Sequence, residues 1–193
     1  MLKEIFGECI YISVIEPEIH KQIKEIILRG QHNDEYKSWS LCNVDSTFFN
    51  TSILLNEIEP EYRTLMEKEI KKHITNINGD LDCVVQDLWH NVYKKGDYQE
   101  PHHHMNNSNL SLSCIYCVIE SDAKLYFTNN NFRIQYLSNI QKIYNSENYK
   151  EYYYPKMTEG SLIIFPSYLY HGVTPQKSES QRITIAGNIR IIV

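Results

Sequence analysis

A chain of 193 residues that is 42% hydrophobic and 22% charged can bury one core of ordinary size, which excludes a disordered, collagenous or coiled-coil protein. Its 19 Lys and Arg against 24 Asp and Glu give a formal charge of -5. No basic run exceeds a pair such as Lys94-Lys95, so nucleic acid, which is held by clustered cations, is not the expected partner.

Residues 1–8 are interrupted by Lys3, Glu4 and Glu8, the pattern of neither an export signal nor a membrane anchor. No stretch approaches the ~18 uninterrupted apolar residues of a membrane span. From residue 16 to 29, Ile19, Ile23, Ile26 and Ile27 recur at helical spacing behind Pro17, with Gly30 as the stop. A second amphipathic helix is expected to open at Glu59-Pro60-Glu61, to carry Tyr62, Leu65, Met66, Ile70 and Ile74, and to end at Asn78-Gly79-Asp80. Residues 39–55, between the two, are polar and irregular with a β-prone patch.

After Asp80 the chain changes to short runs of Val, Ile, Tyr and Thr punctuated by Gly, Asn, Ser and Pro, the pattern of a sandwich or barrel. Strands are expected at residues 83–93, 99–104, 111–119, 124–127, 160–165, 171–173 and 182–193. Residues 128–155 are long, polar and rich in tyrosine, an excursion from the sheet or a lid over it. The expectation is one domain over 1–193, mainly β with flanking α, made of a helical flank over 1–80 and a β core over 81–193.

His102-His103-His104 is the strongest local signal. In an extended segment the period of two puts His102 and His104 on one face, where two imidazoles converge on a point that suits Fe, Zn, Cu or Ni. A third ligand must come from elsewhere, and His171, at the start of a short strand after the buried run ending at Phe165-Pro166, is the candidate. His20 and His73 fall on helices and His32 in a polar loop, so all three are read as surface residues. The facing of His90 is left open. Since imidazole must be neutral to bind, metal occupancy is expected to fall below about pH 6, near the unperturbed histidine pKa.

In the last segment, Arg182 and Thr184 share one face and Ile183 and Ile185 the other. A guanidinium directed into a sheet interior needs a partner. Its planar fork suits a carboxylate, with the Thr184 hydroxyl as a further donor, so a small dicarboxylate would satisfy both groups. Cys114 and Cys117 form a C-x-x-C within a strand, where a spacing of three sends the thiols to opposite faces, and both are read as core. The five cysteines are odd in number and dispersed, which points to reduced thiols and a cytoplasmic protein.

These residues, in this order, resemble the iron(II) and 2-oxoglutarate dependent dioxygenases, of the prolyl hydroxylase-like kind found among small phage and bacterial oxygenases. The resemblance runs over Trp89-His90-Asn91-Val92-Tyr93, Gly96, Tyr98, Gln99-Glu100-Pro101-His102-His103-His104, Ser113-Cys114-Ile115-Tyr116-Cys117-Val118, residues 160–166, His171 and Arg182-Ile183-Thr184. It implies a double-stranded β-helix (jelly roll) core with N-terminal helices outside. It further implies that His102 and His171 ligate Fe(II), and that Arg182 with Thr184 clamps the distal carboxylate of 2-oxoglutarate, with Tyr93 directed at the same cosubstrate. The implied activity is hydroxylation of a C–H bond of a small-molecule or peptide substrate with release of succinate and CO2. The chain departs from the wider family at His104, where Asp or Glu is usual, and in having Cys117 where many members have a tyrosine. Either His104 or a carboxylate, Glu100 before the weaker Asp97, is then the third metal ligand. Two rivals differ in what they ask of these residues. A cupin-like three-histidine protein has no use for Arg182, and a non-catalytic binding domain has no use for a metal.

Overall fold

The computed structural model describes residues 1–30, 37–38, 42–48, 53–105, 111–138 and 150–192, with side chains described in all of these except 37, 38, 53–57, 134 and 135. Two antiparallel sheets form its frame. In chain order the strands are β1 (Leu2–Ile5), β2 (Glu8–Val14), β3 (Lys37–Ser38), β4 (Asp45–Ser46), β5 (Asp82–Tyr93), β6 (Gln99–His102), β7 (Leu112–Ile119), β8 (Leu125–Thr128), β9 (Tyr152–Tyr153), β10 (Ser161–Pro166), β11 (His171–Val173) and β12 (Arg182–Ile192). The helices are α1 (Pro17–Gly30), α2 (Ile53–Ile77) and α3 (Phe132–Leu137). The large sheet runs β1-β2-β10-β7-β12-β5-β4-β3 and the small one β6-β11-β8-β9.

Alternation along the long strands sorts side chains between two cores. On β12, Ile183, Ile185 and Ile189 face outward and join Ile23 and Ile27 of α1 and Met66, Ile70 and Ile74 of α2 in the larger cluster. The intervening Ala186 belongs to the inner cluster, with Trp89 of β5, Ile115 of β7, Phe127 of β8 and Phe165 of β10. Helices α1 and α2 therefore cover the outside of the large sheet, and the space between the two sheets is left for the site. Truncating Ile70, which is fully buried, to alanine should lower unfolding stability by about 2–5 kcal/mol, measured by denaturant titration.

The seven strands expected after residue 80 all form, with ends displaced by two residues at most. The segment read as a helical flank also contributes strands. β1 and β2 form a hairpin whose second strand pairs with β10, and β4 pairs with β5. The hairpin turns at Phe6-Gly7, both with positive φ, 55° and 87°. Two-residue hairpin turns of this hand are usually signalled by Asn-Gly or Asp-Gly, so a phenylalanine in the first position hides the turn in the sequence. Helix α2 begins at Ile53, ahead of Pro60, which lies inside it rather than in its first turn. Residues 139–149 of the expected excursion lie outside the described residues; on either side of them stand α3 and β9, the latter paired with β8.

Candidate metal and anion site

His102 ends β6 and His171 begins β11, and the two are register partners across that pair. The register shifts between His171 and Val173, so β6 carries an extra residue, and both Gln99 and His102 turn into the space between the sheets. Gly172 makes this close approach possible: a Cβ there would lie 2.6 Å from the Tyr126 hydroxyl and 2.7 Å from the Gln99 carbonyl oxygen. His104 lies just past β6, where its backbone N–H donates to the Ser167 carbonyl at 2.9 Å.

The three rings meet. One ligand nitrogen from each of His102, His104 and His171 lies within 4.8 Å of the other two. Three points so spaced share a centre no more than roughly 2.8 Å (4.8/√3) away, close to the ~2.1 Å of a metal–imidazole bond. Their outer nitrogens are all engaged. Nδ1–H of His102 donates to the Glu100 carbonyl at 2.9 Å and that of His171 to the Leu169 carbonyl at 2.9 Å. Nδ1 of His104 lies 2.7 Å from Asn188 Oδ1 and 3.0 Å from Ser113 Oγ. Asn188 is oriented by its own donation from Nδ2 to Asp87 Oδ2 at 3.1 Å, which leaves its oxygen to accept from His104. Each ring thus keeps its proton on Nδ1 and turns the Nε2 lone pair inward, the arrangement that metal-binding histidines need.

Burial and mutual repulsion keep the rings neutral. Desolvation first, and then the neighbouring imidazoles, lower His104 to about 4 and His171 well below the ordinary 6.5, and burial lowers His102. Proton competition for the ligand nitrogens therefore sets in at lower pH than for solvated imidazoles. Neither fallback carboxylate joins the cluster. Glu100 is hydrogen-bonded to Cys42, and its Oε2 is buried without a hydrogen-bond partner among the described residues. Asp97 accepts from the Lys94 backbone N–H at 2.7 Å.

Arg182, Thr184 and Tyr93 line the same pocket as the three histidines. Arg182 and Tyr93 are register partners at the paired ends of β12 and β5. The Arg182 side chain is only 2% exposed, yet no described carboxylate pairs with it. Its guanidinium donates to the Ala123 carbonyl at a long 3.3 Å and to the Met157 thioether at 3.6 Å, and Nε has no hydrogen-bond partner among the described residues. It also stands 5.8 Å from the Tyr93 ring centroid, whose hydroxyl donates to Gln99 Oε1 at 3.0 Å. A buried cation that finds, among the described residues, a carbonyl, a thioether and an aromatic face but no anion is short of one. Cys117 lies near enough for the Arg182 charge to act on its thiol, although burial prevails and pushes that thiol up to about 11.

Asn188, Ser113 and Gln99 belong to the site but are not singled out in the sequence reading. Continuing the Arg182, Thr184 alternation of β12 by two further steps reaches Asn188, which meets His104. Two histidines read as surface residues are not. His73 is 5% exposed and lies between α2 and the sheet, its Nδ1 3.1 Å from the Tyr11 hydroxyl, while Nδ1 of the half-buried His20 lies 2.6 Å from the Tyr116 hydroxyl. His90 is buried on the helix side against Tyr62. His32 lies outside the described residues. Cys114 and Cys117 are both fully buried, and all five cysteines are free thiols.

Residues 87–188, more than half of the chain, match the model of a family described as "Putative 2OG-Fe(II) oxygenase". Among solved structures the chain is similar to the non-heme α-ketoglutarate dependent carbocyclase SnoK from nogalamycin biosynthesis, with TM-score 0.67 and 9% identity over 94% of this chain and 79% of that one. It is also similar to EctD from S. alaskensis, solved with 2-oxoglutarate and 5-hydroxyectoine, with TM-score 0.64 and 10% identity over 94% and 71% of the two chains. A Pseudomonas putida prolyl-4-hydroxylase gives TM-score 0.57 and 12% identity over 94% and 91%. At such identities these likenesses speak to the double-stranded β-helix fold. No curated protein matches the chain.

Proposed function

Because the chain belongs to the 2OG-Fe(II) oxygenase family, we propose that His102, His104 and His171 hold its iron(II), and that Arg182, with Thr184 and Tyr93 beside it, holds the distal carboxylate of its cosubstrate 2-oxoglutarate. Bound iron supplies the oxygen chemistry that couples decarboxylation of 2-oxoglutarate, to succinate and CO2, to oxidation of a substrate. The protein's own part is orientation and exclusion of water. The acceptors on Nδ1 fix each ring and its tautomer, so Nε2 is presented without rearrangement. Trp89, Ile115 and Ala186 line the pocket between the histidines and Arg182 and supply its apolar wall.

The observation that carries this reading is the buried guanidinium lacking an anion in the same pocket as three convergent imidazoles. A three-histidine protein that takes no keto acid leaves that charge unexplained. The usual outcome of such chemistry, hydroxylation of a C–H bond, is the one we assign, on a small-molecule or peptide substrate. Nucleic acid is not expected at a formal charge of -5. No helix among the described residues is long and apolar enough to cross a membrane, and the free thiols support a cytoplasmic setting. On this reading residues 1–193 work as one domain, α1 and α2 backing the sheet that carries Arg182.

Anaerobic titration with Fe(II) in the presence of 2-oxoglutarate should produce a visible metal-to-ligand charge-transfer band, absent with either component alone. Aerobic incubation should then release succinate across a substrate panel. Iron uptake with no change on adding 2-oxoglutarate would point to the cupin-like alternative.

A further inference from the structure

Arg182 borders two cavities. One is the pocket of the three histidines; the other, of about 290 Å³, is walled by side chains from the segment before β8 and from the segment between β9 and β10. Among the described residues, Arg182 alone lines both. Its terminal nitrogens are turned to the wall of the second cavity, Nη1 donating to the Ala123 carbonyl and Nη2 to the Met157 thioether. Neither contact is strong, since the first is 3.3 Å long and a thioether is a weak acceptor. An oxyanion would serve these nitrogens better, and Met157, unbranched and half-buried, can give way to it.

The charge of this cavity is set by residues present in the fold. Lys124 and Lys156 line it, both exposed, and neither side chain has an ion-pair partner among the described residues. No described carboxylate lines it. Asp122 accepts from the Ser178 hydroxyl at 2.9 Å and the Lys177 N–H at 3.2 Å, and Glu159 pairs with Lys24 at 2.7 Å. Glu120 and Glu151 are exposed outside it, and Glu100 is hydrogen-bonded to Cys42 beside His102. Leu125, Tyr154 and Pro155 add an apolar wall, and the volume of about 290 Å³ stands at the low end of the roughly 300–1,000 Å³ of small-molecule sites.

We propose that the second cavity binds a small organic anion, a phosphate monoester or a carboxylate with a compact apolar body, held by Arg182, Lys124 and Lys156. On the function proposed above, 2-oxoglutarate needs the same guanidinium from the histidine side. Two anions on one buried arginine repel, so the second cavity is a regulatory site that opposes the cosubstrate.

Phenyl phosphate and benzoate, titrated calorimetrically into the metal-free full chain at constant ionic strength, should bind saturably, and the tighter probe names the head group. The double variant Lys124→Ala/Lys156→Ala changes two exposed positions outside the histidine pocket. It should bind the probe roughly tenfold more weakly, the effect of removing two charges about 6 Å away even at the dielectric of water. In the Fe(II) protein, a concentration of the probe that just saturates the wild type should raise the apparent 2-oxoglutarate dissociation constant roughly tenfold. The rise should be distinctly smaller in the double variant. Failure of both probes to bind, equal affinity in the double variant, or binding without effect on 2-oxoglutarate overturns the proposal. If Fe(II) and 2-oxoglutarate alone give no charge-transfer band, the function reading fails instead, and the calorimetry still decides the second cavity.

Discussion

Replacing Arg182 by methionine is expected to remove the 2-oxoglutarate-dependent charge-transfer band at ordinary cosubstrate concentrations while leaving Fe(II) binding and the fold intact. Truncating one partner of a buried, hydrogen-bonded charge pair costs about 2–5 kcal/mol, which corresponds to roughly 30- to 5000-fold weaker 2-oxoglutarate binding. Arg182→Lys keeps the charge but loses the fork that meets a carboxylate with two parallel hydrogen bonds, so it should fall between wild type and Arg182→Met. The stability of the metal-free protein should move the other way. Arg182 is 2% exposed and its guanidinium lacks an anion among the described residues, and an apolar side chain of similar length in that position is neutral or stabilising. Isothermal titration of 2-oxoglutarate into the Fe(II) protein, together with a denaturant midpoint for the metal-free form, measures both. Unchanged 2-oxoglutarate affinity in Arg182→Met would remove Arg182 from the site.

Acid provides the second large effect. His102, His104 and His171, with His90 and His73 on the helix side, all have pKa values lowered chiefly by burial, to about 4 for His104 and His90. An unfolded chain takes up these protons near 6.5, the folded chain only at lower pH, so between the two the unfolded state binds more protons. The contribution to stability is fully present above pH 6.5 and declines as the pH falls, by up to about 1.4 kcal/mol per pH unit for each group that remains neutral in the fold. Metal-free protein should thus show a steep fall in denaturant midpoint from pH 6.5 towards pH 4. Iron should behave differently, since protons do not compete for the folded ligands until the lower values are reached. Equilibrium dialysis under anaerobic conditions should find iron retained at pH 5. Loss of half the iron already at pH 6 would show rings that titrate as if solvated.

The strands that carry the chemistry are legible in the sequence because burial on one face and chemistry on the other leave an alternation, as in Arg182-Ile183-Thr184-Ile185. His102 and His104 are legible for the same reason, although His104 lies just past the end of its strand. What stays hidden depends on partners far away along the chain. The burial of His73 needs Tyr11, 62 residues earlier, and that of His20 needs Tyr116, 96 residues later. A helical histidine gives no local sign of either. Glu100 looks eligible as a ligand by period, but the extra residue in β6 takes it out of phase, and a bulge depends on pairing with β11 that no single strand announces. The buried state of Arg182 is a property of the two sheets together, since its own flank, residues 176–181, is polar.

The histidines of β6 and β11 stand on the small sheet, and Arg182 with Tyr93 on the large one. A molecule gripped at one end by the metal and at the other by the guanidinium would bridge the two layers as a crossbar does, adding a cross-link between them that the empty chain lacks. Heat resistance should then track cosubstrate supply, with a gain of about 2.7 kcal/mol when 2-oxoglutarate is at a hundred times its dissociation constant. On the proposed function, the same cross-link would be undone each time succinate departs.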